Sequence, residues 1–159
     1  QDDTAIAMLK ELPVFRVNAA IMYAATGRLG EAAGALEAPA PLPLTKMEQQ
    51  MAKDAARLLR TAAAKTASPQ SLPALGILSW VYLYVGAPDR ALEYDEYTAE
   101  AGYNVGAHAP VIWHRSYAPV RKTERFKAFV RKAGYVDYWK ARGWPDLCKP
   151  AVADDFMCN

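Results

Sequence analysis

Few residues of this chain are of the types that carry out chemistry, and their spacing matches no familiar catalytic site. The two histidines, His108 and His114, are six residues apart, so on a helix they would lie on nearly opposite faces and could not readily share a metal ion. Three acids, Glu93, Glu96 and Glu100, would share one helix face without a visible basic partner, as on a solvated surface. The chain also lacks the short motifs of serine hydrolases, zinc peptidases and nucleotide-binding loops. We therefore predict a protein that is not an enzyme and that uses neither a cofactor nor a metal.

The two cysteines, Cys148 and Cys158, both lie in the last twelve residues of the sequence. They are ten residues apart, with neither a CxxC motif nor a neighbouring histidine, and therefore make a poor metal site. Two interpretations stay open for them. They close a small disulfide loop in an oxidising environment, or they are two unpaired thiols on a tail.

Positive charge is concentrated towards the C-terminal end, although the net charge of the chain is only +2. Ten of the nineteen lysines and arginines lie in residues 115–149, and the segment 121–132 interleaves them with aromatic residues. This pattern suggests an alternative function, which is nucleic-acid binding through the basic residues Arg121, Lys122 and Arg125. We consider that function unlikely, because Phe126 and Phe129 recur at the spacing of a buried helix face, with the cations on the solvated side.

Length and composition are those of one folded domain. Hydrophobic residues make up 52% and charged residues 23% of the 159 residues, which is enough apolar surface to bury a core. No apolar run approaches the roughly 20 residues that a membrane-spanning helix needs. The first residues, Gln1, Asp2 and Asp3, are acidic where a signal peptide would be basic. We therefore expect a cytoplasmic protein with no membrane partner.

Apolar residues recur at helical spacing along most of the chain, which predicts an all-α protein. Two pairs of helices are predicted with a glycine at the hinge, Gly27 in the first pair and Gly86 in the second. Thr45 and Glu48 have the spacing of a capping box and predict the start of a long helix after a proline-rich connector. Pro119 is expected to end the first helix of a third pair. The predicted segments are repeat-like units at 13–38, 71–102 and 108–134, an inserted helix at 45–66 and a tail at 143–159.

The two hinged pairs resemble tetratricopeptide (TPR) repeats, which are 34-residue helical hairpins. The family's signature positions are occupied by Ala20, Tyr23, Gly27 and Ala32 in the first pair and by Leu75, Leu78, Tyr82, Gly86 and Ala91 in the second. Arg16, Ser79 and Asp95 differ from the residue types usual at their positions. Roughly the last 90 residues are also similar to the C-terminal TPR regions of bacterial multidomain regulatory proteins. The resemblance implies a right-handed helical-hairpin (TPR-like) repeat array with an inserted helix and a degenerate C-terminal cap, acting as a protein–protein interaction scaffold in signalling.

The TPR resemblance also implies a binding groove, because the position of Trp80 faces the concave surface in that family. The residues expected to line this groove and to contact a protein or peptide are Val17, Ile21, Trp80, Leu83 and Tyr84. Trp80 should then be at least partly exposed, since Leu78 and Tyr82 already supply the buried stripe of its helix. The alternative is that the inserted helix or the tail covers these residues.

Three further expectations follow from the same repeat register. Residues 4–11 resemble half of a repeat, so their apolar face, with Ile6, Met8 and Leu9, should support self-association. Ala91 should be buried where two helices cross. The aromatic residues expected to pack the C-terminal cap are Trp113, Trp139 and Trp144.

Overall fold

The computed structural model describes residues 2–10, 15–40, 42–62, 71–102 and 112–159. Most of these residues are helical, which confirms the all-α prediction, while the stacked TPR-like arrangement stays a prediction. The chain forms two compact units, unit 1 at Gln1–Arg90 and unit 2 at Ala91–Asn159. In the ranges that the structure describes, no helix is both long enough and apolar enough to cross a membrane.

Within the described residues, unit 1 includes four α-helices and a long 3-10 helix. The α-helices are α1 (Asp2–Lys10), α2 (Arg16–Ala25), α3 (Leu29–Glu37) and α4 (Lys46–Thr61), and the 3-10 helix is Gly76–Tyr84. Gly27 makes the turn between α2 and α3, and its φ of +80° is one that residues with a side chain rarely adopt. The predicted hinge of the first helical pair is therefore present.

Alanine dominates the contact surfaces of the first helices. Helix α3 packs against α2 on one side and against α4 on the other. The alanines buried on these three helices are Ala19, Ala20, Ala24, Ala32, Ala33, Ala52, Ala55 and Ala56. Because an alanine side chain is a single methyl group, the helices can approach closely along these surfaces. This close packing fixes the position of α3 between its two neighbours.

The start of α4 is set by the capping box that the sequence predicts. The Thr45 hydroxyl accepts a hydrogen bond from the Glu48 backbone N–H at 3.2 Å, and the Glu48 carboxylate accepts one from the Thr45 N–H at 2.8 Å. Each side chain thereby satisfies a backbone donor that the helix end leaves unpaired. The helix continues to Thr61, and the end predicted at residue 66 lies outside the described residues.

The segment predicted as the first helix of the second pair is a 3-10 helix. Five consecutive residues, Leu78 to Tyr82, are buried, so the segment is enclosed on more than one side. In an amphipathic α-helix, buried residues would be interrupted by exposed ones. Here the run is enclosed by tertiary packing, and it is rich in aromatic and β-branched residues, whose α-helix propensity is weak. The Tyr82 hydroxyl donates a hydrogen bond to the Pro73 carbonyl and fixes the approach to the helix.

Unit 2 consists of short helices and a small hairpin. Its elements are α5 (Glu93–Glu100), α6 (Ala118–Arg121), α7 (Glu124–Lys132), α8 (Tyr135–Arg142), and the antiparallel strands β1 (Cys148–Pro150) and β2 (Phe156–Cys158). Pro119 was expected to end a helix but lies in the first turn of α6. A proline there sacrifices no hydrogen bond, because the first backbone N–H groups of a helix have no partner within it. The segment predicted only as a tail contains the hairpin.

The core of unit 2 is built from aromatic rings around Trp139. The centroid of its ring system lies 5.9 Å from that of Trp113, 5.5 Å from that of Trp144 and 5.8 Å from that of Phe156. The pairs with Trp113 and Phe156 are edge-to-face, a favoured arrangement of aromatic side chains. The three C-terminal tryptophans thus share one cluster, in agreement with the sequence.

Candidate functional site

The groove predicted around Trp80 is not an open surface. Trp80 is only 1% exposed and Ile21 is also buried, while Val17, Leu83 and Tyr84 are half-buried. The predicted exposure of Trp80 is therefore wrong. Its ring meets Tyr84 edge to face, and its indole N–H has no hydrogen-bond acceptor within the part of the chain that the structure describes. Trp80 thus belongs to the interior of the protein.

The alternative basic face is also not available as predicted, because Arg121 is only 2% exposed. Its guanidinium donates hydrogen bonds to the carbonyls of Ile112, His114 and Asn159 at 2.7–2.8 Å. Burial lowers the pKa of Arg121 from its ordinary value. Arg121 therefore holds the C-terminal strand in place rather than facing a phosphate.

The cations of α7 are paired with acids of unit 2. Arg125 donates to both carboxylate oxygens of Glu96, at 2.8 and 2.6 Å, and Lys132 pairs with Glu100 at 2.6 Å. Two of the three acids that were interpreted as a solvated cluster, Glu96 and Glu100, thus face cations from another helix. The negative charge of residues 93–100 and the positive charge of residues 124–132 are both present in the sequence, but the contact between these segments depends on how the chain folds. Of the three residues proposed for the basic face, only Lys122 is exposed.

One acid of α5 has an unusual environment. Asp95 is 1% exposed, at a position where the TPR pattern has an apolar residue. Burial, and next the charge of Glu96, raises the pKa of Asp95 to about 7. Burial also raises the pKa of Tyr135, with a smaller effect from Asp95. Asp95 thus titrates near neutral pH instead of acting as an ordinary surface carboxylate.

Neither histidine contributes to a metal site in the described structure. The Nδ1 atom of His114 lies 2.9 Å from the Ser116 hydroxyl and caps a short 3-10 turn at Arg115–Tyr117. His108 lies outside the described residues. Among the residues that are described, no group of histidine, cysteine, aspartate and glutamate side chains is arranged to hold a metal ion.

The strongest candidate site is a cleft in unit 1 at the C-terminal end of α3. It has a volume of about 260 Å³ and is lined by residues of α2, α3, α4 and the connector that follows α3. The residues that line it are Arg16, Leu36, Glu37, Ala38, Ala40, Leu44, Gln49, Ala52 and Lys53. The floor is thus mostly apolar, and the charged side chains come from three different helices.

Arg16 is held in this cleft by one end of its guanidinium. Its Nη1 atom donates to the carbonyls of Leu36 at 2.8 Å and Ala38 at 2.9 Å, which lie at the end of α3 where helix carbonyls lack partners. Its Nε and Nη2 atoms have no hydrogen-bond partner in the part of the chain that is described. The side chain is therefore fixed in position through Nη1.

The cleft keeps a positive charge. Glu37 is the one carboxylate in the cleft lining, and it is paired with Arg60, 2.7 Å away, which lowers the pKa of Glu37. Lys53 is exposed and has no ion-pair partner among the described side chains. Gln49 donates to the Leu44 carbonyl at 2.9 Å and holds the connector against α4. The sequence signalled this site only through Arg16, which stands where the TPR pattern has a large apolar residue.

The paired cysteines lie in unit 2, away from this cleft in the sequence. Cys148 and Cys158 form a disulfide, and they are directly opposite each other in the register of β1 and β2. The disulfide therefore closes the hairpin at its open end.

No family model, curated protein or solved structure matches this chain.

Proposed function

We propose that this chain is a non-enzymatic protein–protein interaction module of the TPR-like type, and that the cleft of unit 1 binds an extended acidic peptide. The single observation that carries the proposal is the anchored guanidinium of Arg16 with its unused edge. The resemblance of the sequence to C-terminal TPR regions supports a place for the module in a larger regulatory protein.

The unused edge of Arg16 suits a carboxylate. The Nε and Nη2 atoms of a guanidinium present two parallel N–H groups that match the two oxygens of an aspartate or glutamate side chain. Because Nη1 is already held by two carbonyls, little conformational freedom is left to lose when the ligand binds. A carboxylate bound there would also neutralise the positive charge of Arg16, which has no acidic partner among the described residues.

Lys53 extends the same argument across the cleft. Arg16 belongs to α2 and Lys53 to α4, and both line the cleft together with residues of α3, which packs against both helices. An extended peptide with two acidic side chains separated by small apolar residues complements both cations and the apolar floor. Two cations are too few for a nucleic acid, whose binding relies on many phosphate contacts. With Arg121 buried, we do not propose nucleic-acid binding.

The test compares amidated, fluorescein-labelled heptapeptides of sequence Ala-Xaa-Ala-Xaa-Ala-Leu-Ala, with glutamate, glutamine or lysine at Xaa. We expect the glutamate peptide to bind best by fluorescence anisotropy, and Lys53→Glu to weaken it about tenfold, equivalent to about 1.4 kcal/mol. Lys46→Glu is the matched control, because Lys46 is exposed on the same helix and outside the cleft lining. Equal binding of the glutamate and glutamine peptides, equal loss in both variants, or no binding at millimolar concentration contradicts the proposal.

The location of the protein is part of this proposal. The sequence predicts a cytoplasmic protein, whereas the Cys148–Cys158 disulfide supports an oxidising compartment. Alkylation of free thiols during cell lysis, followed by mass spectrometry, distinguishes the two. Complete labelling of both cysteines indicates a reducing compartment.

A further inference from the structure

The C-terminal hairpin presents two acids to the cations of α7 and α8. The Asp155 carboxylate accepts hydrogen bonds from Lys127 at 2.9 Å and Arg131 at 2.7 Å. The preceding residue, Asp154, accepts one from Lys140 of α8 at 2.6 Å. These bonds lower the pKa of Asp155 to about 2, with the largest effect from Lys127. We call the surface formed by Lys127, Arg131 and Lys140 the cationic face.

An aromatic side chain follows the two acids and anchors the hairpin. Phe156 is fully buried, and its ring lies 5.8 Å from Trp139 and 5.6 Å from Trp144. The Arg131 guanidinium lies 5.0 Å from the centre of the same ring, within the range of a cation–π contact. The hairpin thus resembles a bound peptide in which two acids, Asp154 and Asp155, are followed by an aromatic residue, Phe156.

The hairpin has little intrinsic stability of its own. Each strand is only three residues long, and two-stranded hairpins are marginal in water. At its turn, Ala153 and Asp154 adopt φ values of 58° and 63°, a left-handed conformation that residues with a side chain disfavour. The ion pairs, Phe156, the hydrogen bond from Arg121 to the Asn159 carbonyl and the Cys148–Cys158 disulfide therefore hold this shape together.

We propose that the cationic face is a binding surface for an acidic segment with a following aromatic residue, and that the disulfide-closed hairpin is its internal occupant. When the disulfide is reduced, the hairpin exchanges with a partner segment of the same chemistry. This site lies in unit 2 and does not depend on the function proposed for the cleft.

The exchange needs a reductant, which is a dithiol. The dithiol supplies two electrons and two protons, the sulfur–sulfur bond breaks, and Cys148 and Cys158 become thiols while the dithiol becomes a disulfide. Without the covalent closure, the turn and the short strands no longer keep the acids in place. Departure of the hairpin leaves Arg131 and Lys140 without an acid, whereas Lys127 keeps its contact with Glu124 at 3.0 Å.

The binding test uses the full chain with Asp154→Lys and Asp155→Lys, in which the hairpin is repelled from the cationic face. The probe is a labelled, amidated peptide of sequence AVADDFMSN, and the control peptide has asparagine in place of both acids. After reduction we expect the acidic probe to bind at least about tenfold more tightly than the control, since charge pairing provides the selectivity. Adding Arg131→Glu and Lys140→Glu to this variant should abolish the difference. Equal binding of the two peptides would overturn the proposal.

A second measurement uses the unaltered chain, in case that variant fails to fold. The backbone N–H of Ala151 donates to the Asp155 carbonyl, and that of Asn159 donates to the Leu147 carbonyl, both at 2.8 Å. Reduction with an excess of a dithiol should speed hydrogen exchange of these two amides at least about tenfold, while amides of α3 keep their protection. Unchanged protection of Ala151 and Asn159 after complete reduction would show that the disulfide does not hold the hairpin in place.

Discussion

The charged residues Arg121, Arg16 and Asp95 have different roles, which depend on the surroundings of their charged atoms. Arg121 is buried with three carbonyls around its guanidinium, so it joins distant parts of unit 2. Arg16 is bound through Nη1 to two carbonyls, and among the described residues its Nε and Nη2 atoms have no partner. Asp95 is buried with a raised pKa, so its charge reduces the stability of the folded state at neutral pH and above.

We predict that Asp95→Asn changes the dependence of stability on pH. Because the pKa of Asp95 is about 7 in the folded protein and near 4 when unfolded, the unfolded state loses this proton first as pH rises. Its contribution to stability is therefore complete below pH 4 and is lost as pH rises towards and through 7. Denaturant titrations should show Asp95→Asn to be more stable than the unaltered chain at pH 8, with the gap closing towards pH 4.

Glu96 provides the control for this prediction. It lies next to Asp95 but is half-buried and paired with Arg125. Glu96→Gln removes a neighbouring charge and an ion pair while Asp95 still titrates. A gain in stability at pH 8 that is as large for Glu96→Gln as for Asp95→Asn would contradict the assignment to Asp95.

Among the secondary-structure elements, the hairpin is the one whose shape depends most on its surroundings. The helices begin and end at local signals such as the Thr45 capping box and the Thr123 cap of α7. The hairpin instead has a turn without glycine, and side chains of α7 and α8 hold its acids. Its geometry is thus imposed by packing.

Ala153→Gly should stabilise unit 2 by about 0.5–1 kcal/mol. Ala153 has a φ of 58°, where glycine carries no steric penalty. The matched control is Ala151→Gly, because Ala151 has an extended backbone with a φ of −120° and gains nothing from glycine. Thermal unfolding of the two variants should move in opposite directions. A destabilised Ala153→Gly variant would mean that the turn is not strained in solution.

Local signals explain which elements were predictable. Gly27 and Thr45 each act on the backbone within one helical turn, and the helices end or begin where those residues indicate. The segment Gly76–Tyr84 was predicted as a helix, but its 3-10 type and its enclosure were not, because the spacing of Leu78 and Tyr82 also fits an ordinary α-helical stripe.

The candidate sites depend on long-range contacts and were mostly hidden. The cleft exists because α3 separates α2 from α4, a relation between segments far apart in the sequence. The burial of Arg121 could not be read from its position in a basic segment, since burial depends on the carbonyls that surround it. The hairpin was missed because strands of three residues, one of them containing Pro150, leave too short a pattern.

At the scale of the whole molecule, self-association through the N-terminal end stays a prediction. The structure shows which of the described side chains of α1 are exposed and could take part in it. Ile6 is 3% exposed, so it is already packed, whereas Met8 on the same helix is 68% exposed. Among the α1 side chains that the structure describes, Met8 is the one large apolar side chain that is exposed, and one methionine supports only a weak contact.

We therefore expect a weak dimer that Met8→Glu abolishes. Sedimentation equilibrium of the unaltered chain should show association only at about 0.1 mM or above, a range typical of small interfaces. Met157→Glu is the control, because Met157 is also exposed but belongs to the hairpin of unit 2. A chain that is monomeric at millimolar concentration, or equal effects of the two variants, would contradict this surface.

The alanine-lined contacts of α2, α3 and α4 have a consequence for how this protein can evolve. Ala20, Ala32, Ala33, Ala55 and Ala56 are almost completely enclosed. A single base change in an alanine codon gives valine, threonine, serine, proline, aspartate, glutamate or glycine. Each of these adds volume, adds a polar group or weakens the helix, and overpacking alone costs about 1–3 kcal/mol. Unit 1 therefore has few neutral steps open to it along these surfaces, and changes in sequence should accumulate first on the connector and the outer faces of the helices.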